Sequence, residues 1–141
     1  MQKVQFYSLD RNPSLKDRTR FKIFIKKLFS IEKKKLANLS YIFCSDEHLL
    51  SINKTFLKHD FYTDVITFDL SQSKKEIEGE VYISVDRIKD NAKQLGVSYK
   101  EELHRVVFHG ALHLCGYKDK SKTDQQLMRL AENKYLKLYF R

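Results

Sequence analysis

The stretch FHGALHLCGYKDK, residues 108–120, decides how this chain is read. It places His109 and His113 four residues apart, then Gly116, Tyr117 and Asp119. On a helix, residues i and i+4 share one side, a turn apart. The apolar positions around the pair, Leu103, Val106, Val107 and Leu114, fall mostly on a different side. The imidazoles therefore need not point into the core. Two imidazoles so placed reach one metal ion at about 2.0–2.1 Å without backbone strain. Gly116 permits a sharp turn after the helix, and that turn can bring Asp119 back to the same ion. The pattern is His-x-x-x-His-x-x-Gly-x-x-Asp. Three protein ligands with an open position is the arrangement of catalytic zinc sites, whereas structural sites close with four.

The plain alternative is two surface histidines on an amphipathic helix. A third ligand at this offset, behind a glycine turn, argues for the metal. Cys115 competes for the site, but two residues past His113 a helical side chain points roughly the opposite way, so it reads as a buried thiol. Asp124 competes too, but is expected in the first turn of the last helix, where an acid complements the dipole. Zinc metalloproteases share the histidine spacing but carry a glutamate general base directly after the first histidine. Here that position is Gly110, which cannot move a proton.

The chain has 141 residues, 42% of them hydrophobic, which suits a single globular domain spanning residues 1–141. No apolar run approaches the ~20 residues of a membrane span, and the opening MQKVQFYSLDRNP lacks the apolar core of a signal peptide. Cys44 and Cys115 give no disulfide framework. A cytoplasmic location, with no membrane partner, is the expectation. The formal charge is +9, a surplus that favours phosphate-rich partners, above all nucleic acid. The bland reading of that charge is a solubilising lysine surface. RNP-type aromatics, zinc-finger spacing and a clear helix-turn-helix are absent, so RNA would be recognised by shape and backbone charge.

Strands are expected over Val4–Tyr7, Leu39–Cys44, Val65–Leu70 and Glu80–Ser84. SQSKKEIEG, residues 71–79, reads as a hairpin connection ending at Gly79. Ser14, with Asp17 as a partial capping box, predicts a helix burying Phe21, Phe24, Ile25, Leu28 and Phe29. Ser45 caps a second, burying Leu49, Ile52 and Phe56. Leu57–Tyr62 reads as a loop. Ser84 caps a third helix carrying Val85, Ile88, Ala92 and Leu95, ended by Gly96. Ser98 and Glu101 form a capping box for the histidine helix. A last helix, from about Thr123 to Leu138, is expected to bury Leu127, Leu130 and Ala131. The order implies an α+β domain, a small mixed sheet packed with helices.

HGALHLCGYKD, residues 109–119, resembles the HGxLHLxGYDH signature of the YbeY family of bacterial rRNA maturation factors, described as metal-dependent endoribonucleases. NKTFLKHDFYTDVITFDL (53–70) is similar to the family segment ending in TDVLSF, and GEVYISVDRI (79–88) to its G-[DE]-[IV]-x-IS segment. The three motifs stand in the family's order. The resemblance implies a zincin-like metal-binding helix, with His109 and His113 as ligands of one divalent ion, zinc being the expected one. The family has a third histidine where this chain has Asp119, itself a good ligand. It also has an arginine where this chain has Leu57, flanked by Lys58 and His59. Lysine would bring charge without arginine's bidentate fork. Lys118, Lys120 and Lys122 are candidate RNA contacts or a solvated run. Asp64 is a candidate for orienting a ligand histidine or for catalysis, with Lys58 and His59 as further catalytic candidates. His48 and His104 have no such support, and His104 reads as ordinary surface.

The resemblance thus implies a metal-dependent endoribonuclease acting in 16S rRNA 3′-end maturation and ribosome quality control. Its partners would be rRNA, the small subunit and ribosomal proteins. The other reading is a non-catalytic ribosome-assembly factor with a structural metal; ligand count and solvent access separate the two.

Overall fold

The computed structural model describes residues 3–141. Its elements are β1 (Val4–Ser8), α1 (Arg18–Ile31), β2 (Leu36–Cys44), α2 (Asp46–Ile52), β3 (Val65–Asp69), β4 (Ile77–Ser84), α3 (Val85–Leu95), α4 (Tyr99–Leu114) and α5 (Lys122–Tyr139). A π-helical turn, Asn53–Leu57, extends α2. The sheet order is β1-β2-β4-β3. β1, β2 and β4 run parallel, while β3 lies antiparallel to β4 at the sheet edge. This is the expected α+β architecture with a mixed sheet.

Alternation along the strands sorts side chains onto two faces. Leu39, Tyr41, Phe43, Val81 and Ile83 share the main core with α1, α4 and α5. The other face carries a smaller cluster, where Leu49 and Ile52 of α2 cover Cys44 and Ile66. In the β3–β4 register Val65 stands opposite Ile83 and Thr67 opposite Val81. Val65, Thr67 and Asp69 therefore point to the α4 side. Serines cap as expected: Ser45, Ser84 and Ser98 accept from the backbone N–H of His48, Arg87 and Glu101 at 3.0–3.1 Å.

Helix α4 is buried on most of its circumference, and two glycines fix its distance from β4. A Cβ added at Gly110 would stand 2.7 Å from Val81 Cγ1, and one at Gly79 2.7 Å from Leu114 Cδ1. Gly79 is thus a mid-strand contact in β4, not the end of the hairpin connection. Gly116, with φ 109, turns the chain after α4.

Several expectations are corrected. Ser14 has φ 55 and caps nothing; α1 begins at Arg18, and its N-cap Asp17 is left-handed with no side-chain cap bond. Phe56 is 68% exposed, because the wider winding of the π-helical turn slips the inward face and buries Asn53 instead. Leu57 closes that turn and does not open a loop. Leu95, Leu127 and Leu130 are exposed. The inward stripe of α5 is offset by one residue: Met128, Ala131, Glu132, Tyr135 and Tyr139.

His104 is not at the surface. It is 4% exposed, stacked on Phe21 with centroids 4.3 Å apart and flanked by Tyr139 and Phe140. Its Nδ1–H donates to the Lys100 carbonyl at 2.7 Å, and its Nε2 is buried without a partner. A proton there would lie in an apolar pocket, so burial holds the imidazole down at about 4 from an ordinary 6.5.

Two outcomes are expected. Gly110→Ala should lower stability by about 1–3 kcal/mol through overpacking, although alanine is otherwise the better helix former. Urea unfolding measures this, and Val81→Ala should restore part of the loss; a Gly110→Ala variant as stable as wild type would contradict the contact. The His104 contribution has a definite sign. It is complete above pH 6.5 and falls as the pH drops toward 4, because the unfolded chain takes up a proton that the folded chain refuses. The loss amounts to about 3 kcal/mol. Unfolding free energies across this window should fall less steeply in His104→Leu, and an unchanged slope would exclude His104 as the source.

Candidate metal centre

Glu102, Arg105, His109 and His113 recur at helical spacing and form one polar seam down α4. The seam ends where Gly116 turns the chain. That turn is pinned: the Tyr117 N–H donates to the Leu112 carbonyl at 3.0 Å, and the Tyr117 hydroxyl donates to Glu32, the C-cap of α1, at 3.0 Å. Gln125 of α5 donates to the Asp119 carbonyl at 3.1 Å. Asp119 is thereby carried back over the seam.

His109, His113 and Asp119 converge. Asp119 Oδ2 lies 3.4 Å from His109 Nε2 and 3.2 Å from His113 Nε2, and all three candidate ligand atoms lie within 4.8 Å of one another. Tetrahedral zinc with bonds of about 2.0–2.1 Å spaces its ligand atoms about 3.3 Å apart. The two Asp119 separations match that spacing. The two rings stand nearly perpendicular, at 84°, with centroids 4.7 Å apart.

Behind His109 stands Glu132 of α5, 2% exposed, with Oε2 2.7 Å from His109 Nδ1. A carboxylate there fixes the proton on Nδ1 and leaves the Nε2 lone pair aimed at the ligand cluster. Arg105 holds Glu132 in turn, donating to its Oε1 at 3.0 Å while gripping Glu102 through two nitrogens. Burial alone would raise Glu132, but the His109 hydrogen bond and Arg105 outweigh it and its pKa is lowered. Burial opposes the Arg105 charge, yet Glu102 and Glu132 raise its pKa further. Asp64 approaches Arg105 at 4.0 Å and takes a hydrogen bond from Asn91 at 3.2 Å; burial raises its pKa. Glu102, Glu132 and Asp64 thus stand around a single inner guanidinium, and Asp119 adds a further carboxylate at the histidines. That excess of negative charge suits a divalent cation.

Two cavities meet at the triad. One, of about 370 Å³, lies between β3 and α4 and includes Thr63, Asp64, Val65, Thr67 and Asp69 opposite His109, His113 and Asp119. The other, of about 840 Å³, runs along α5 and shares Arg105, His109 and Asp119 with the first. The triad therefore faces open space from two sides.

Of the remaining residues singled out in the sequence, Asp64 lines the β3 cavity. Lys122 lines the α5 cavity. Lys118 and Lys120 are exposed and line neither. Lys58, left-handed at the end of the π-helical turn, and His59, stacked on Phe61, also line neither. Cys115 is a buried thiol with its pKa pushed up to about 12 by burial. Glu132, Arg105 and Glu102 were missed. Their signal was present: charged residues on buried helix faces, with Glu132 among Met128, Ala131 and Tyr135.

A family profile described as Endoribonuclease YbeY matches residues 9–139. An Endoribonuclease YbeY of Cytophaga hutchinsonii is 46% identical over 135 residues, 96% of this chain and 94% of that protein. One of Bacteroides thetaiotaomicron is 48% identical over 113 residues, 80% of this chain and 82% of the relative. The solution structure of a Thermotoga maritima protein shares the fold, with a TM-score of 0.68 over 97% of this chain and 89% of that one, at 24% identity. With the histidine helix, its glycine turn and the matched length together, the chain belongs to the YbeY endoribonuclease family.

Proposed function

We propose that this protein is a metal-dependent endoribonuclease that acts in 16S rRNA 3′-end maturation and in ribosome quality control. The observation that carries the reading is the convergence of His109, His113 and Asp119 on one point open to two cavities. Family membership supplies the substrate class, and the +9 charge is consistent with it. The proposed partners are rRNA, the small subunit and ribosomal proteins, and the proposed location is the cytoplasm. No helix among the described residues is long and apolar enough to cross a membrane.

The ion, proposed to be zinc, would be held by His109 Nε2, His113 Nε2 and an Asp119 carboxylate oxygen. When bound, it supplies Lewis acidity toward water and toward a phosphoryl oxygen. The chain's own residues do the positioning. Glu132 keeps the His109 proton on Nδ1, Arg105 keeps Glu132 in place, and Gln125 and Tyr117 hold the turn that presents Asp119. Asp64, at the wall of the β3 cavity, is the proposed group for orienting substrate or water. β3 is an edge strand, and its cavity-facing Thr63, Thr67 and Asp69 border the space where a substrate would lie. The joined cavities run past the triad instead of ending at it. A strand could therefore lie across the site and be cut internally. A structural metal would close with four ligands; three ligands facing a cavity favour catalysis.

Removing His113 leaves two ligands. His113→Ala should bind little metal, as read by elemental analysis of the purified protein. Cells holding only that variant, at matched folded levels, should accumulate unprocessed 16S rRNA 3′ ends. Normal ends in these cells, with abnormal ends when the protein is missing, would replace the nuclease reading with that of an assembly factor. Glu132→Gln should weaken metal affinity about 10–100-fold with the fold retained. Competition against a chromophoric chelator measures this, and wild-type affinity would remove Glu132 from the account.

A further inference from the structure

The trough past the triad has a strong charge asymmetry. Its β3 side presents Asp64 and Asp69, and Asp119 borders both cavities. Among the described residues that line either cavity, the cations are Arg105, Lys122 and Arg129. Arg105 is 14% exposed at its side chain and committed to Glu102 and Glu132. Three of its five N–H donors are taken by those carboxylates, so most of its charge is spent there. The position where the family carries an arginine is Leu57, and Leu57, Lys58 and His59 stand outside both cavities. The charge available to a polyanion at this site therefore comes from α5.

On α5, Lys122, Gln125, Gln126 and Arg129 recur at i, i+3, i+4 and i+7, so they form one stripe. All four line the larger cavity, whose inner end is His109 and Asp119. Every one is a hydrogen-bond donor, and none is acidic. Asp124, the acid of the same turn, is not part of this wall. Gln125 spends one N–H on the Asp119 carbonyl and so couples the stripe to the ligand turn. Arg129 contacts Glu132 Oε1 at 3.3 Å, yet its side chain is 54% exposed, which leaves the other guanidinium edge to the trough. Lys122 has no ion pair among the described residues. Flanking Leu130, 65% exposed, and Met128 give the wall an apolar floor.

Resting on the endoribonuclease reading, we infer that this α5 stripe is the arm that holds the substrate strand: Lys122 and Arg129 take backbone phosphates of single-stranded RNA, and Gln125 and Gln126 donate to the strand between them. The arm is sequence-tolerant, since donors to phosphate carry no base information. The committed state of Arg105 keeps that residue a positioning group.

The test uses the metal-loaded chain and a short, fluorescently labelled single-stranded 2′-O-methyl RNA, with binding followed by anisotropy over a salt series. Lys122→Ala/Arg129→Ala should weaken binding about tenfold and flatten the log K against log salt slope by about 1.4, the share of two phosphates on a single strand. Its metal content should be unchanged, and Arg129→Lys, which keeps the charge, should retain the wild-type slope. Lys26→Ala/Lys27→Ala, on α1 and outside both cavities, should bind as wild type. If the α5 variant binds RNA as tightly as wild type, or if the α1 control loses as much, the arm is overturned while the endoribonuclease reading stands. If the wild-type protein binds no RNA at any salt, that reading fails, and the arm with it.

Discussion

The approach of α4 to β4 governs the molecule. Helix α4 lies against the sheet closely enough that neither Gly110 nor Gly79 could carry a methyl group without displacing Val81 or Leu114. That spacing determines where the polar seam of α4 stands relative to β3. It also determines the width of the cavity in which Asp64, Thr67 and the histidines face one another. Interiors are close-packed and transmit small displacements. A helix lifted from β4 would carry His109 and His113 with it, while Glu132 stayed on α5. The glycine that separates this motif from a metalloprotease helix is thus explained by packing. The residue type that cannot move a proton is also the one that lets the helix sit down.

The price of the site is a buried set of charges. Glu102 and Glu132 are 1–2% exposed; Arg105 bridges the two, and the half-exposed Arg129 reaches Glu132 as well. Breaking one member of such a set leaves the others uncompensated, which is far more harmful than the net worth of the pairs. The arrangement therefore constrains α4 and α5 to one mutual position, and that position presents His109 Nε2 outward. The same excess of carboxylate makes a divalent cation the natural completion of the cluster. The same contacts that dock α5 on α4 thus orient the candidate ligand His109.

The candidate metal site was legible because it rests on local periodicity. The spacing of His109, His113, Gly116 and Asp119 is a statement about one helix and one turn, and serine caps located the neighbouring helix starts. What failed was long-range. The α5 stripe was read through Leu127 and Leu130, the more hydrophobic residues, while tertiary packing chose Met128, Tyr135 and Tyr139 and took Glu132 along. His104 was read as surface because it lies five residues before His109, on another side of the helix, with no motif to support it; aromatic rings from α1 and α5, distant in sequence, enclose it. Phe56 was misplaced because nothing local announces a π-helical turn. Partners of α4 that come from a different helix cannot be inferred from the periodicity of α4 itself.

Asp119 shows how the chain accommodates its departure from the three-histidine pattern. A carboxylate has a shorter reach than an imidazole, so its backbone must be placed with more care. The chain does this from both flanks: Tyr117 donates to Glu32 at the C-cap of α1, which Tyr135 of α5 also holds, and Gln125 holds the Asp119 carbonyl. The turn is thereby fastened to α1 on one side and to α5 on the other. A carboxylate also brings a negative charge to a centre already rich in it. Under the proposed function, that extra charge would strengthen the hold on a dication and repel a polyanion, so a phosphodiester strand at this centre would need cationic partners beyond the three candidate ligands. The acidic β3 wall cannot provide them, and α5 can.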